Sequence, residues 1–209
     1  EIYTRVGSSA ASDVYKRQEQ TLGGAALDGM KLFYGAAGCS ACHSGAFQTD
    51  HGFHAMGVPQ IGPGKAARFE THARDEGRMR VTGRVEDAYA FRTPSLRNVV
   101  KTAPYGHSGA YDDLGDFLTS HVDPAGAVGG FDRSQVTLVE LPGVADWKAL
   151  DDPAETAAIS GAVTVPAVAL STKEHAQLLA FLESLTDPVA LTGRLGIPDT
   201  VPSGLPVDR

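Results

Sequence analysis

The chain has 209 residues, 42% of them hydrophobic, and a formal net charge of −7, which fits one globular domain with long connections and excludes nucleic acid or an anionic membrane surface as an electrostatic partner. Its apolar runs are far shorter than the roughly 20 residues that cross a bilayer, so no membrane insertion is expected. Two cysteines, spaced C-x-x-C, are too few for a disulfide framework and point to local chemistry.

Residues 1–18 show no sustained period and read as a disordered or non-native stretch; a chain that opens on Glu1 without a leader reads as a mature product or a fragment. Residues 19–188 read as one folded unit. Between Gly24 and Gly35, Leu27, Met30, Phe33 and Tyr34 recur at helical spacing, and Gly38 stops the helix just before Cys39. Residues 44–93, rich in Gly, His and Pro, read as loop wrapped over a buried group. Residues 91–109 predict a short helical turn and a structured loop. Asp112 or Asp113 caps a helix running to about Val122, with Pro124 marking its end. On it Leu114, Phe117, Leu118 and His121 share one face, so a histidine is aimed at the core. Residues 125–170 show no clear period, and Trp147 reads as a packing anchor. Ser171 and Glu174 have capping-box spacing ahead of the stripe Leu178, Phe181, Leu182 and Leu185, in a helix ending near Asp187 and Pro188. Residues 189–209 read as an extended arm.

The chemistry sits in Cys39-Ser-Ala-Cys42-His43. C-x-x-C-H is the signature of c-type haem attachment. Two thiols at this spacing match the two vinyl groups on the porphyrin edge, and the adjoining histidine is placed under the ring, where a neutral imidazole nitrogen binds iron. A thioredoxin-like pair would need a βαβ setting, which the pattern lacks. A zinc site would need further Cys or His ligands at suitable spacing, and the chain has no third cysteine. One covalent haem c on Cys39 and Cys42 is therefore expected, with His43 as an axial ligand. Covalent attachment takes place outside the bacterial cytoplasm, so a periplasmic location is expected.

Beyond this motif, LFYGAAGCSACHSG, FHAMGVP, DEGRMRVTG and FRTPSLRNVVKTAPYGHSGAYDDL resemble the C-terminal haem domain of the bacterial di-haem cytochrome c peroxidase family, which includes the MauG-type enzymes. The resemblance implies an all-α, cytochrome-c-like haem domain with long irregular loops. It also implies a two-domain parent, in which this domain receives electrons and passes them to a peroxidatic haem in an N-terminal domain. The partners implied are a small redox protein of cytochrome or cupredoxin type as donor, that N-terminal haem domain, and hydrogen peroxide or a protein substrate for the parent. Two rival readings are a free-standing mono-haem carrier and a mono-haem peroxidase that loses its sixth ligand on reduction.

In the family the sixth iron ligand, a Met in the peroxidases and a Tyr in the MauG type, lies on the helix after the PY-x-H-x-G loop. That position falls on His121, which the helical face selects independently. Met79 is the leading alternative, with Met56 and His54 behind it. Paired imidazoles at His43 and His121 would lower the potential relative to His/Met ligation and leave no open site for peroxide. Arg92 and Arg97 are candidates to bind haem propionates by forked hydrogen bonds, or else form surface salt bridges. The resemblance places His107 near the haem without ligating it, and makes the Thr102 and Pro104 carbonyls ligands of a Ca²⁺ between domains.

Overall fold

The computed structural model describes residues 22–63, 72–138, 142–192 and 201–204. The stretch 1–18 lies outside them, as do residues 193–200 and 205–209 of the expected arm. In chain order the elements are α1 (Gly24–Tyr34), β1 (Phe53–Ala55), α2 (Met79–Thr82), β2 (Ala90–Arg92), α3 (Leu114–Val122), α4 (Lys148–Asp151), α5 (Pro153–Gly161), α6 (Thr172–Ser184) and α7 (Pro188–Thr192). Single 3₁₀ turns occur at Cys39–Ala41, Val85–Asp87, Val99–Lys101 and Arg133–Gln135.

The organising contact is α1 against α6, with α3 packed onto α6. Phe33 and Ala37 from the first segment, Leu118 from α3, and Leu178, Phe181, Leu182 and Leu185 from the last form one buried cluster. Fully buried Phe181, Leu178 and Leu185 each contribute about 1.5–3 kcal/mol by leaving water. The two long helices approach closely because of Gly29, where a Cβ would run into the Gln177 carbonyl. Gln177 Nε2 then donates to the Asp28 carboxylate at 2.9 Å, and the Phe33 and Phe181 rings meet at 5.0 Å.

The helix starts follow the sequence signals. Ser171 and Glu174 complete a reciprocal capping box on α6, satisfying two N–H groups that would otherwise lack partners. Asp113, not Asp112, caps α3, its carboxylate accepting from the backbone of Gly115 and Asp116. Asp112 instead accepts the Thr137 hydroxyl.

Elsewhere the structure adds elements that the sequence reading lacked. Within the expected loop 44–93, β1 and β2 pair antiparallel, with Phe53 opposite Arg92 and His54 opposite Phe91. Three residues per strand are too few to show a period of two. The stretch 125–170 holds α4 and α5. Asp152 caps α5, with Pro153 in its first turn, a pairing that fixes helical φ and supplies an acceptor at once. The buried residues of α5 are Glu155 and Ile159, a mixed face that apolar periodicity overlooks. Glu155 receives Arg74 at 2.7 Å and the Tyr89 hydroxyl at 3.4 Å, tying α5 to the loop before β2. Trp147 is half-buried, with the Arg133 guanidinium 5.0 Å over its ring. Past Asp187 the chain enters the short helix α7 rather than an extended arm. Among the described residues no helix is long and apolar enough to cross a membrane.

Candidate functional site

After α1 ends, Gly38 takes a left-handed conformation at φ 68° and turns the chain into the 3₁₀ turn that carries Cys39; a side chain with a Cβ would be strained there. Within the turn the His43 amide donates to the Cys39 carbonyl at 2.9 Å, so both cysteines and the histidine are held on one compact coil. Both thiols are free and partly buried. Burial pushes the Cys39 thiol up to about 11, and burial followed by the Asp50 charge raises that of Cys42, so both are protonated thiols at neutral pH.

His43 is buried. Its Nδ1–H donates to the Gln48 carbonyl at 3.1 Å, which leaves Nε2 as the unprotonated, metal-binding nitrogen; a ring nitrogen held by a carbonyl is the usual support of a ligating histidine. Burial lowers its pKa, against an upward pull from the Gln48 carbonyl. His121 lies in the last turn of α3, its ring 5.3 Å from Phe117. Burial, then the proximity of His43, brings its pKa down to about 4. Both imidazoles are therefore neutral at physiological pH, the form that binds metal.

The two rings lie with centroids 6.2 Å apart and planes inclined at 49°. Two imidazoles bound to one metal ion through nitrogen bonds of about 2.0 Å have centroids about 6.2–6.4 Å apart. The residues present would fit a haem c: two thiols spaced for the vinyl groups, His43 with its Nε2 free to bind iron, and a second neutral imidazole on His121 with its ring centroid 6.2 Å away.

The remaining candidates lie around this pair. Met79 is half-buried at the start of α2, its carbonyl accepting the Gly83 amide at 2.8 Å. Met56 follows β1 and is partly buried. His54 is engaged elsewhere, its Nε2 2.8 Å from the Asp50 carboxylate. Arg92 is exposed and donates to the Thr93 carbonyl at 3.3 Å. Arg97 pairs with Asp187 at 3.7 Å, the salt-bridge alternative, joining the 3₁₀ region to the end of the core. His107 stacks on Phe91 at 3.7 Å, and its Nε2 lies 2.9 Å from the buried Asp75 carboxylate. It braces two loops through these contacts. Thr102 and Pro104 are exposed on one surface loop, the Thr102 hydroxyl donating to the Val99 carbonyl at 2.9 Å.

Sequence reasoning did not find Gln48 or the Asp50–His54 pair. Burial alone would raise the Asp50 pKa, but hydrogen bonds from His54, the Gly52 amide and Thr93 outweigh it and hold the carboxyl at about 2. Ligand atoms of Cys42, Asp50 and His54 lie within 4.8 Å of one another. A zinc-type centre there would use the Cys42 thiolate, which thioether formation removes. No spacing rule anticipates this grouping, because it is made by the turn at 44–50.

No protein-family model matches the chain. Among curated relatives, the methylamine utilization protein MauG of Methylorubrum extorquens is 31% identical over 178 residues, covering 83% of this chain and 38% of that protein. The cytochrome c551 peroxidase of Pseudomonas aeruginosa is 35% identical over 114 residues, 54% of this chain and 32% of the relative. The chain thus spans less than half the length of these relatives. Among solved structures, a MauG-like protein associated with microbial copper homeostasis matches 88% of the chain and 53% of its own, with 28% identity and a TM-score of 0.57. The di-haem peroxidase BthA of Burkholderia thailandensis shares the fold at 22% identity and a TM-score of 0.57 over 90% of the chain.

Proposed function

Because this chain matches the family of MauG and the bacterial di-haem cytochrome c peroxidases, we propose that it is the electron-transfer haem domain of such an oxidoreductase. In this reading Cys39 and Cys42 hold one haem c by thioether bonds, and His43 and His121 are its axial ligands. The observation that supports the reading is a second neutral imidazole, His121, with its ring centroid 6.2 Å from that of His43 in the C-x-x-C-H motif. When bound, the haem supplies one-electron exchange.

The chain's own residues determine which kind of haem chemistry is open. With His43 and His121 both bound to the iron, the site would relay electrons and would leave peroxide no vacant coordination position. His43, anchored by the Gln48 carbonyl, stays a neutral ligand with a fixed tautomer. His121 is held by α3, whose other apolar residues are buried or half-buried against the core, and this surrounding packing limits water near the iron site. The low-dielectric setting and the basic ligand pair place the potential below that of a His/Met site.

For the whole protein, we infer a periplasmic enzyme that draws electrons from a small cytochrome or cupredoxin and delivers them through an N-terminal haem domain to hydrogen peroxide or a protein substrate. A Ca²⁺ held by the Thr102 and Pro104 carbonyls at the domain junction belongs to the same inference. The free-standing mono-haem carrier is the less favoured reading, since the relatives matched are peroxidases and MauG. The test is a pyridine haemochrome assay on protein expressed in a periplasm with haem-attachment machinery. One c-type haem per chain, retained in acidic organic solvent, is expected; colourless protein, or pigment released into the solvent, overturns the reading.

A further inference from the structure

We propose that Gln48 is a positioning residue for the proximal ligand, a clamp that runs from Tyr34 on α1 through Gln48 to His43 and sets the haem potential; this deepens the site reading above and rests on it. Gln48 is fully buried, yet it is not built as a core filler. Its Nε2–H donates to the Tyr34 hydroxyl at 3.3 Å, while its Oε1 is buried with no hydrogen-bond partner. Its backbone sits at φ 49°, a left-handed conformation that a side chain with a Cβ adopts at a cost. Packing would be better served by an apolar residue, and the turn by glycine. A residue that is unfavourable on both counts is held in place by its surroundings, and such residues cluster at functional sites.

What the conformation achieves is the placement of one carbonyl. The Gln48 amide donates back to the Gly45 carbonyl, Thr49 to Ser44 and Asp50 to Cys42, and the Thr49 hydroxyl donates to the Thr93 carbonyl at 2.7 Å. Together these fold residues 44–50 over the motif so that the Gln48 carbonyl meets His43 Nδ1–H. The side chain then ties this loop to α1, the rigid helix that also delivers Cys39. The bond from Nδ1–H to the Gln48 carbonyl makes the imidazole a more basic ligand and so favours ferric over ferrous iron. Loosening the clamp weakens that bond and raises the potential.

The experiment is a spectroelectrochemical titration of the haem-loaded full chain as wild type, Gln48→Met, Tyr34→Phe and the double variant. Both single variants are expected to shift the midpoint potential upward, and the double variant to shift it no further than the larger single one. In the NMR spectrum of the ferric form, the His43 Nδ1–H resonance should exchange faster with solvent in each variant. A role in packing alone would leave Tyr34→Phe, which keeps the ring, at the wild-type potential. Unmoved potentials, or additive shifts in the double variant, overturn the assignment while leaving the haem site intact. Wild-type protein without covalent haem overturns both. If Gln48→Met fails to load haem, Tyr34→Phe decides alone.

Discussion

The α1–α3–α6 core and the segment from Ser44 to Arg92 are built by different rules, and the candidate haem site is made where they meet. In the core, apolar residues at helical spacing pack into a single cluster, and each helix position is fixed by several neighbours at once. In the other segment, short turns, a three-residue strand pair and side-chain bonds to backbone hold the chain, with polar residues such as Gln48, Thr49, Gln60 and Asp75 buried. His121 comes from the first kind of structure, and the hydrogen bond that orients His43 comes from the second. In the proposed haem site a helix would supply one ligand, and a folded loop would tune the other.

Perturbations of the two regions should separate structure from redox behaviour. The largest effect expected is at the motif: replacing Cys39 and Cys42 by alanine should abolish covalent haem altogether, read as full extraction of pigment into acidic organic solvent. In the core, Phe181→Ala should cost about 3–5 kcal/mol and Gly29→Val about 3 kcal/mol, because α1 must move away from the Gln177 carbonyl. Both are measured by denaturant unfolding.

Acid should act through the histidines. His121 is lowered from 6.5 to about 4, and His43 is lowered as well. The unfolded chain therefore binds more protons than the folded one between these values. Their contribution is complete above about pH 6.5 and is lost as the pH falls towards 4, so the thermal midpoint of the haem-free chain should drop between pH 7 and pH 4. His121→Phe should flatten part of that slope. The smallest effect is at the cap of α3, where Asp113→Ala should cost about 1 kcal/mol, again by denaturant unfolding.

How much of this was legible in the sequence follows the same division. The three core helices and the shared face of Leu114, Phe117, Leu118 and His121 are visible because helical periodicity and capping residues are local signals that the tertiary contacts reinforce. Cys39, Cys42 and His43 stand out because C-x-x-C-H is the spacing that porphyrin geometry requires for haem attachment. The β1–β2 pair, too short to show alternation, is not legible, nor is α5, whose buried residues include the charged Glu155. Gln48 is hidden for a further reason. Its role depends on a backbone conformation and on a carbonyl, which every residue possesses, so no side-chain pattern announces it. Arg97 shows the limit of reasoning from residue type, since the same guanidinium suits a propionate and the Asp187 carboxylate that it meets.

The most direct test of a haem clasped between His43 and His121 is carbon monoxide binding by the ferrous protein, followed optically in the wild type and in His121→Ala. Two imidazoles in place predict a low-spin wild-type spectrum that carbon monoxide leaves unchanged, and a His121→Ala variant that turns high-spin and binds the gas readily. A wild type that binds carbon monoxide as readily as the variant, or a variant whose low-spin spectrum is the same as the wild type's, would contradict it.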